Sequence, residues 1–68
     1  MVIHAQLCAL SIETGACNNQ VTRYAYDRSQ RSCRPFQYGG CGGNLNNFES
    51  LQECQQVCMN SQRYFALR

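Results

Sequence analysis

Six cysteines in a chain of 68 residues constrain this molecule more than any other feature. A domain this small buries a low fraction of its surface, so an apolar core alone seldom holds it folded. An even cysteine count in so short a chain reads as a disulfide framework formed in an oxidising compartment, hence as a secreted, extracellular protein. Zinc is the competing use of cysteine, and the pattern argues against it. The single histidine, His4, stands near the N-terminus, no Cys-x-x-Cys pair occurs, and the spacings do not match zinc ribbons or fingers. Neither a metal nor any other cofactor is expected.

The charge balance narrows the partners. Six arginines and no lysine stand against four acids, a net charge of +2. That is too weak and too scattered for a nucleic-acid footprint. Arg23, Arg28, Arg31 and Arg34 cluster loosely and read as a solvated hairpin face. Met1-Val2-Ile3 is too short an apolar run for a signal peptide or a membrane span, so no membrane partner is expected. A secreted chain of this sequence is expected to be a mature form or an excised domain.

Local patterning predicts few elements. Residues 1–7 read as an irregular arm, and Gly15-Ala16-Cys17-Asn18-Asn19-Gln20 as a polar, aperiodic exposed loop. Val21 to Tyr26 is rich in β-branched and aromatic residues, Asp27 to Arg31 is polar and turn-like, and Ser32 to Tyr38 places Phe36 and Tyr38 at alternate positions. Two strands around a polar turn make a β-hairpin. Gly39-Gly40-Cys41-Gly42-Gly43 lacks the Lys-Ser/Thr of a phosphate loop and reads as backbone approaching another segment closely. Ser50-Leu51-Gln52-Glu53 is a capping box that opens a helix over about Leu51 to Cys58. Cys54 and Cys58 then share one helix face in parallel, poorly aimed to bond each other, so each bridges elsewhere and anchors a helix too short to persist alone. The tail 59–68 reads as a frayed terminus.

The cysteine spacings and the residues between them resemble the Kunitz, or pancreatic trypsin inhibitor, family. The match runs from Leu7 to Cys58 without a gap. It includes Gly15, Arg23-Tyr24-x-Tyr26, Phe36-x-Tyr38-Gly39-Gly40-Cys41-Gly42-Gly43-Asn44, Asn46-Asn47-Phe48-Glu49-Ser50, Glu53-Cys54 and Cys58. The resemblance implies a small disulfide-rich α+β fold: a twisted antiparallel β-hairpin, a C-terminal α-helix and three disulfides. Its limits are an arm at 1–6, the domain at 7–58 and a tail at 59–68. Six cysteines allow fifteen connectivities, and the resemblance implies Cys8–Cys58, Cys17–Cys41 and Cys33–Cys54. It also implies that Asn46 is buried and satisfies backbone groups under the loop region.

Function follows from the same likeness. Family members present a substrate-like loop to a serine protease, here Gly15, Ala16, Cys17, Asn18, Asn19, Gln20 and Val21. Asn18 would enter the primary pocket, and the Asn18–Asn19 bond would lie at the catalytic serine as the reactive bond. A second segment, with Gln37, Gly39, Gly40, Cys41 and Gly42, would flank it. A rigid loop loses little conformational entropy on binding. Asn18 stands where a trypsin inhibitor carries Lys or Arg, so trypsin's pocket carboxylate would be left poorly paired. Chymotrypsin- or elastase-like proteases are the expected partners, met by a monomer. Asn19 stands where Gly or Ala is usual and crowds the scissile bond, while Ala16 and Ala25 replace larger residues, Ala25 thinning the packing of one hairpin face. The alternative is a Kunitz module that binds protein with little or no inhibition. Channel blockade is disfavoured by the absence of lysine. No nucleophile–base pair can be assembled from one histidine and no free thiol, so no enzyme is expected.

Overall fold

A computed structural model describes residues 6–59. Two seven-residue strands, β1 (Val21–Asp27) and β2 (Ser32–Tyr38), form an antiparallel hairpin, followed by one helix, α1 (Leu51–Cys58). The register runs from Val21 opposite Tyr38 to Asp27 opposite Ser32. These are the strands and helix that the aromatic and capping patterns predict. All three expected disulfides are present, Cys8–Cys58, Cys17–Cys41 and Cys33–Cys54, with Cα separations of 5.7, 5.5 and 6.2 Å. All six cysteines are thereby consumed.

Burial explains why the hairpin and helix stay together. Tyr26, Phe48, Cys8, Cys54 and Cys58 form one cluster, with Leu7, Tyr24, Cys33, Val57 and Met59 packed around it. Cys33–Cys54 crosses from β2 to α1 and Cys8–Cys58 holds the N-terminal segment on the helix end. Phe48 also exchanges two backbone hydrogen bonds with Tyr24, at 2.8 and 2.7 Å, extending the sheet by a single bridge. Ala25 is fully buried despite its small side chain.

Local chemistry sets the ends of the elements. The Ser50 hydroxyl accepts the Glu53 N–H at 3.1 Å, half of the expected capping box. The returning bond goes elsewhere: the Glu53 carboxylate accepts the N–H of Glu49, not of Ser50, at 3.4 Å. At the hairpin turn Asp27 accepts both the N–H and the hydroxyl of Ser29, at 3.0 and 2.7 Å. The Arg34 Nε donates to its other oxygen at 2.8 Å. These bonds hold the Asp27 carboxyl down at about 2, the Ser29 hydroxyl first and the Arg34 guanidinium second, against a smaller opposing effect of desolvation. Arg31 closes the turn with φ +55, a left-handed conformation that glycine adopts at less cost.

The N-terminal reading needs one correction. Gln6 and Leu7 are helical, and the N–H groups of Ala9 and Leu10 close turns onto their carbonyls at 3.1 and 3.2 Å. Leu7 packs on the core and Cys8 is bonded to Cys58, so tertiary contact orders a stretch that carries no periodic signal. His4 and the tail from Asn60 onward lie outside the described residues.

Candidate functional site

Two segments meet beyond the open end of the hairpin, residues 14–20 entering β1 and residues 39–43 leaving β2. Cys17–Cys41 joins them, and three backbone hydrogen bonds lace them together. The Gly39 N–H donates to the Thr14 carbonyl at 2.7 Å, the Ala16 N–H to Cys41 at 3.2 Å and the Asn19 N–H to Gly39 at 2.8 Å. Contact this close needs glycine. A Cβ at Gly39 would run into the Cys17 carbonyl, and one at Gly15, where φ is +81, into the Cys41 carbonyl. The Gly-Gly-Cys-Gly-Gly run is therefore a closely apposed support strip.

Residues Gly15 to Gln20 are all exposed, while Gly39 beneath them is buried. The Asn18–Asn19 bond thus stands at the outer surface of a braced loop. Val21, expected in that loop, is the first residue of β1 and pairs with Tyr38, and Gln37 pairs with Thr22 inside the hairpin. The Asn19 side chain lies along the second segment: a Cβ at Gly40 would meet its Nδ2 at 2.6 Å and its Cβ and Cγ at 3.2 Å. Gln20 departs from an extended segment, with φ +58.

Several supports carry no mark in the loop sequence itself. The Tyr38 hydroxyl donates to the Gly42 carbonyl at 2.9 Å, and its ring meets Phe36 edge-on with centroids 6.3 Å apart. The Arg23 guanidinium sits 5.0 Å from the Tyr38 ring centroid and donates to Asn47 Oδ1 at 2.9 Å. Arg23 is therefore a brace beneath the loop, not part of a solvated face; Arg28 and Arg31 remain exposed at the far turn. Aromatic alternation in β2 was the available signal for Tyr38, but nothing in the sequence pairs Arg23 with it.

Asn46 is 1% exposed and fully bonded. Its Oδ1 accepts the Tyr26 N–H at 2.9 Å, and its Nδ2 donates to the carbonyls of Leu10 and Tyr26 at 2.9 and 3.0 Å. It is buried as expected, but it serves the turn-side half of the hairpin and the N-terminal segment. The loop region is supported by other groups.

The family model for the Kunitz/Bovine pancreatic trypsin inhibitor domain matches residues 7–59. The chain belongs to that family. Kunitz domains are inhibitors and toxins rather than enzymes, and this chain is not an enzyme. U-actitoxin-Avd3l of Anemonia viridis is 51% identical over 75% of this chain, which spans 62% of that relative's length. A trypsin inhibitor of Bombyx mori is 50% identical over 76% of this chain and 94% of its own. Among solved structures, the Kunitz-fold cone snail neurotoxin conkunitzin-S1 superposes with a TM-score of 0.75 at 36% identity, covering 78% of this chain and 95% of its own.

Proposed function

We propose that this Kunitz domain is a secreted inhibitor that occupies a serine protease active site with residues 15–21, placing Asn18 in the primary pocket and the Asn18–Asn19 bond at the catalytic serine. The braced tip carries the reading: an exposed peptide bond lies within a loop joined to its support by one disulfide and three backbone hydrogen bonds. Apart from the left-handed Gln20, such a loop is already ordered and binds without a large ordering cost. If its bond is cut, Cys17–Cys41 and the bond from the Asn19 N–H to Gly39 keep both new ends in place for resynthesis. The second segment, from Gln37 through Gly42, flanks it.

Pocket chemistry selects the target. A neutral amide leaves a trypsin-like pocket carboxylate without a cation, a penalty on the order of several kcal/mol. A hydrophobic or small pocket carries no such charge and pays only for desolvating the amide, about 1–3 kcal/mol. Chymotrypsin- and elastase-like proteases are therefore favoured. Titration of trypsin, chymotrypsin and elastase with the oxidised domain tests this order, and tightest binding to trypsin would overturn it. The double variant Asn18→Arg, Asn19→Ala supplies the cation and removes the side chain beside the scissile bond. It should gain about 3 kcal/mol for trypsin, more than a hundredfold. A folded double variant that still ignores trypsin would replace inhibition with protein binding by a non-inhibitory Kunitz module, the reading that the left-handed Gln20 favours.

A further inference from the structure

Gln20 is the second residue after the proposed reactive bond, and its backbone does not match what a substrate must present. A segment bound like a substrate runs extended, with successive N–H and C=O groups turned alternately toward the enzyme. At φ +58 Gln20 is left-handed, which rotates the peptide groups on either side of it away from that arrangement. Residues with a Cβ avoid this region, so the neighbouring structure favours it at a cost. The neighbours are evident. Asn19 is hydrogen-bonded through its N–H to Gly39 at 2.8 Å, with its side chain against Gly40, and Val21 is paired with Tyr38 in the hairpin. Gln20 bridges two residues held by the same support strip, and the left-handed step joins them.

We infer that Gln20 sets the inhibitory strength of this loop through its own backbone equilibrium: the free loop holds residue 20 left-handed, and protease binding requires it extended. This deepens the inhibitor reading and rests on it. The apparent affinity is reduced by the fraction of free molecules already extended at residue 20. Glutamine makes the balance adjustable. Glycine stabilises the left-handed form because it lacks a Cβ, whereas a β-branched residue disfavours that form and favours the extended one.

The test uses the full oxidised chain and its Gln20→Gly and Gln20→Val variants. Inhibition constants and association rates are measured against both chymotrypsin and elastase. In parallel, the NMR coupling between amide and α protons, with the intraresidue amide–α cross-peak, reports φ at residue 20 in the free proteins. Gln20→Val should bind about fivefold to tenfold more tightly, with most of the gain in association rate, and Gln20→Gly about fivefold more weakly. The factors should be alike for the two enzymes, because the equilibrium belongs to the inhibitor; factors that differ between enzymes would indicate side-chain contact and overturn the inference. An extended Gln20 in the free wild type would also overturn it. So would unchanged constants in both variants while the wild type inhibits, and in that case the inhibitor reading stands. Failure of all three proteins to inhibit any protease, including the trypsin of the panel above, would remove the inhibitor reading and the inference with it.

Discussion

The two halves of this domain are held by different means. In the body, α1 covers the hairpin over a buried cluster of Tyr26, Phe48 and four cysteines from two disulfides, one of which brings in the half-buried Cys33. At the tip, residues 14–20 and 39–43 have little apolar area to bury; a disulfide, three backbone hydrogen bonds and closely fitting glycines hold their shape. Burial is non-directional and tolerates small shifts in position, whereas hydrogen bonds and covalent bonds specify geometry. The body adds burial to two disulfides and to the bonds of Asn46, whereas the tip has only its directional bonds.

Opening one disulfide in each half gives the largest test. Cys17–Cys41 and Cys33–Cys54 close loops of similar length, with separations of 24 and 21 residues. Chain entropy alone therefore assigns each about 3 kcal/mol. Cys54 is fully buried and Cys17 exposed, so replacing the Cys33–Cys54 pair by alanines also vacates core volume. That variant should lose about 5 kcal/mol in denaturant unfolding, against about 3 for the Cys17–Cys41 pair. Equal losses would show that burial adds nothing to the body's bridge. By the same contrast in exposure, Cys17–Cys41 should be the first bond reduced by a mild thiol.

Asn46→Ala asks how far the body depends on polar satisfaction. It strands three backbone groups, the N–H and C=O of Tyr26 and the C=O of Leu10. The expected loss is about 3 kcal/mol by thermal or denaturant unfolding. Protease titration of the surviving folded fraction should be unchanged, because these bonds lie on the turn side. A loss of inhibition in excess of the loss of fold would mean that Asn46 does act on the tip.

A smaller effect, of opposite sign, is expected at the far turn. Arg31→Gly removes the cost of a left-handed arginine and should stabilise the domain by about 1 kcal/mol, visible as a raised unfolding midpoint. Destabilisation would show that the arginine side chain contributes more than its backbone costs.

The smallest effect is the acid response of the same turn. The Asp27 carboxyl lies near 2 in the folded protein, below its ordinary 3.8, because of Ser29 and then Arg34. A depressed folded value means that the contribution is fully present above the unfolded value. It fades as pH falls from about 4 through about 2. Asp27→Asn should flatten the stability profile over that window, and an unchanged profile would assign the acid sensitivity elsewhere.

Legibility in the sequence follows the range of the forces. The hairpin strands, the helix limits at Leu51 and Cys58 and the Ser50 cap were readable because they depend on neighbours one to four residues away. The helical turn at Gln6 and Leu7 was not, since long-range packing onto the core orders it. The loop and its glycine partner were readable as segments, but the left-handed Gln20, the position of Asn19 on Gly40 and the Arg23–Tyr38–Gly42 brace were not. Each depends on side chains or backbone brought together from separate segments, or on conflicting demands from two anchored neighbours.

By itself the amino-acid sequence determined the framework: an oxidised three-disulfide chain with one hairpin, one capped helix and an exposed polar loop, because periodicity, capping and cysteine count act locally or by composition. Only the tertiary structure decided how that loop presents its backbone. Gln20 has no intrinsic preference for φ +58; the ties of Asn19 to Gly39 and of Val21 to Tyr38 favour it over the extended form.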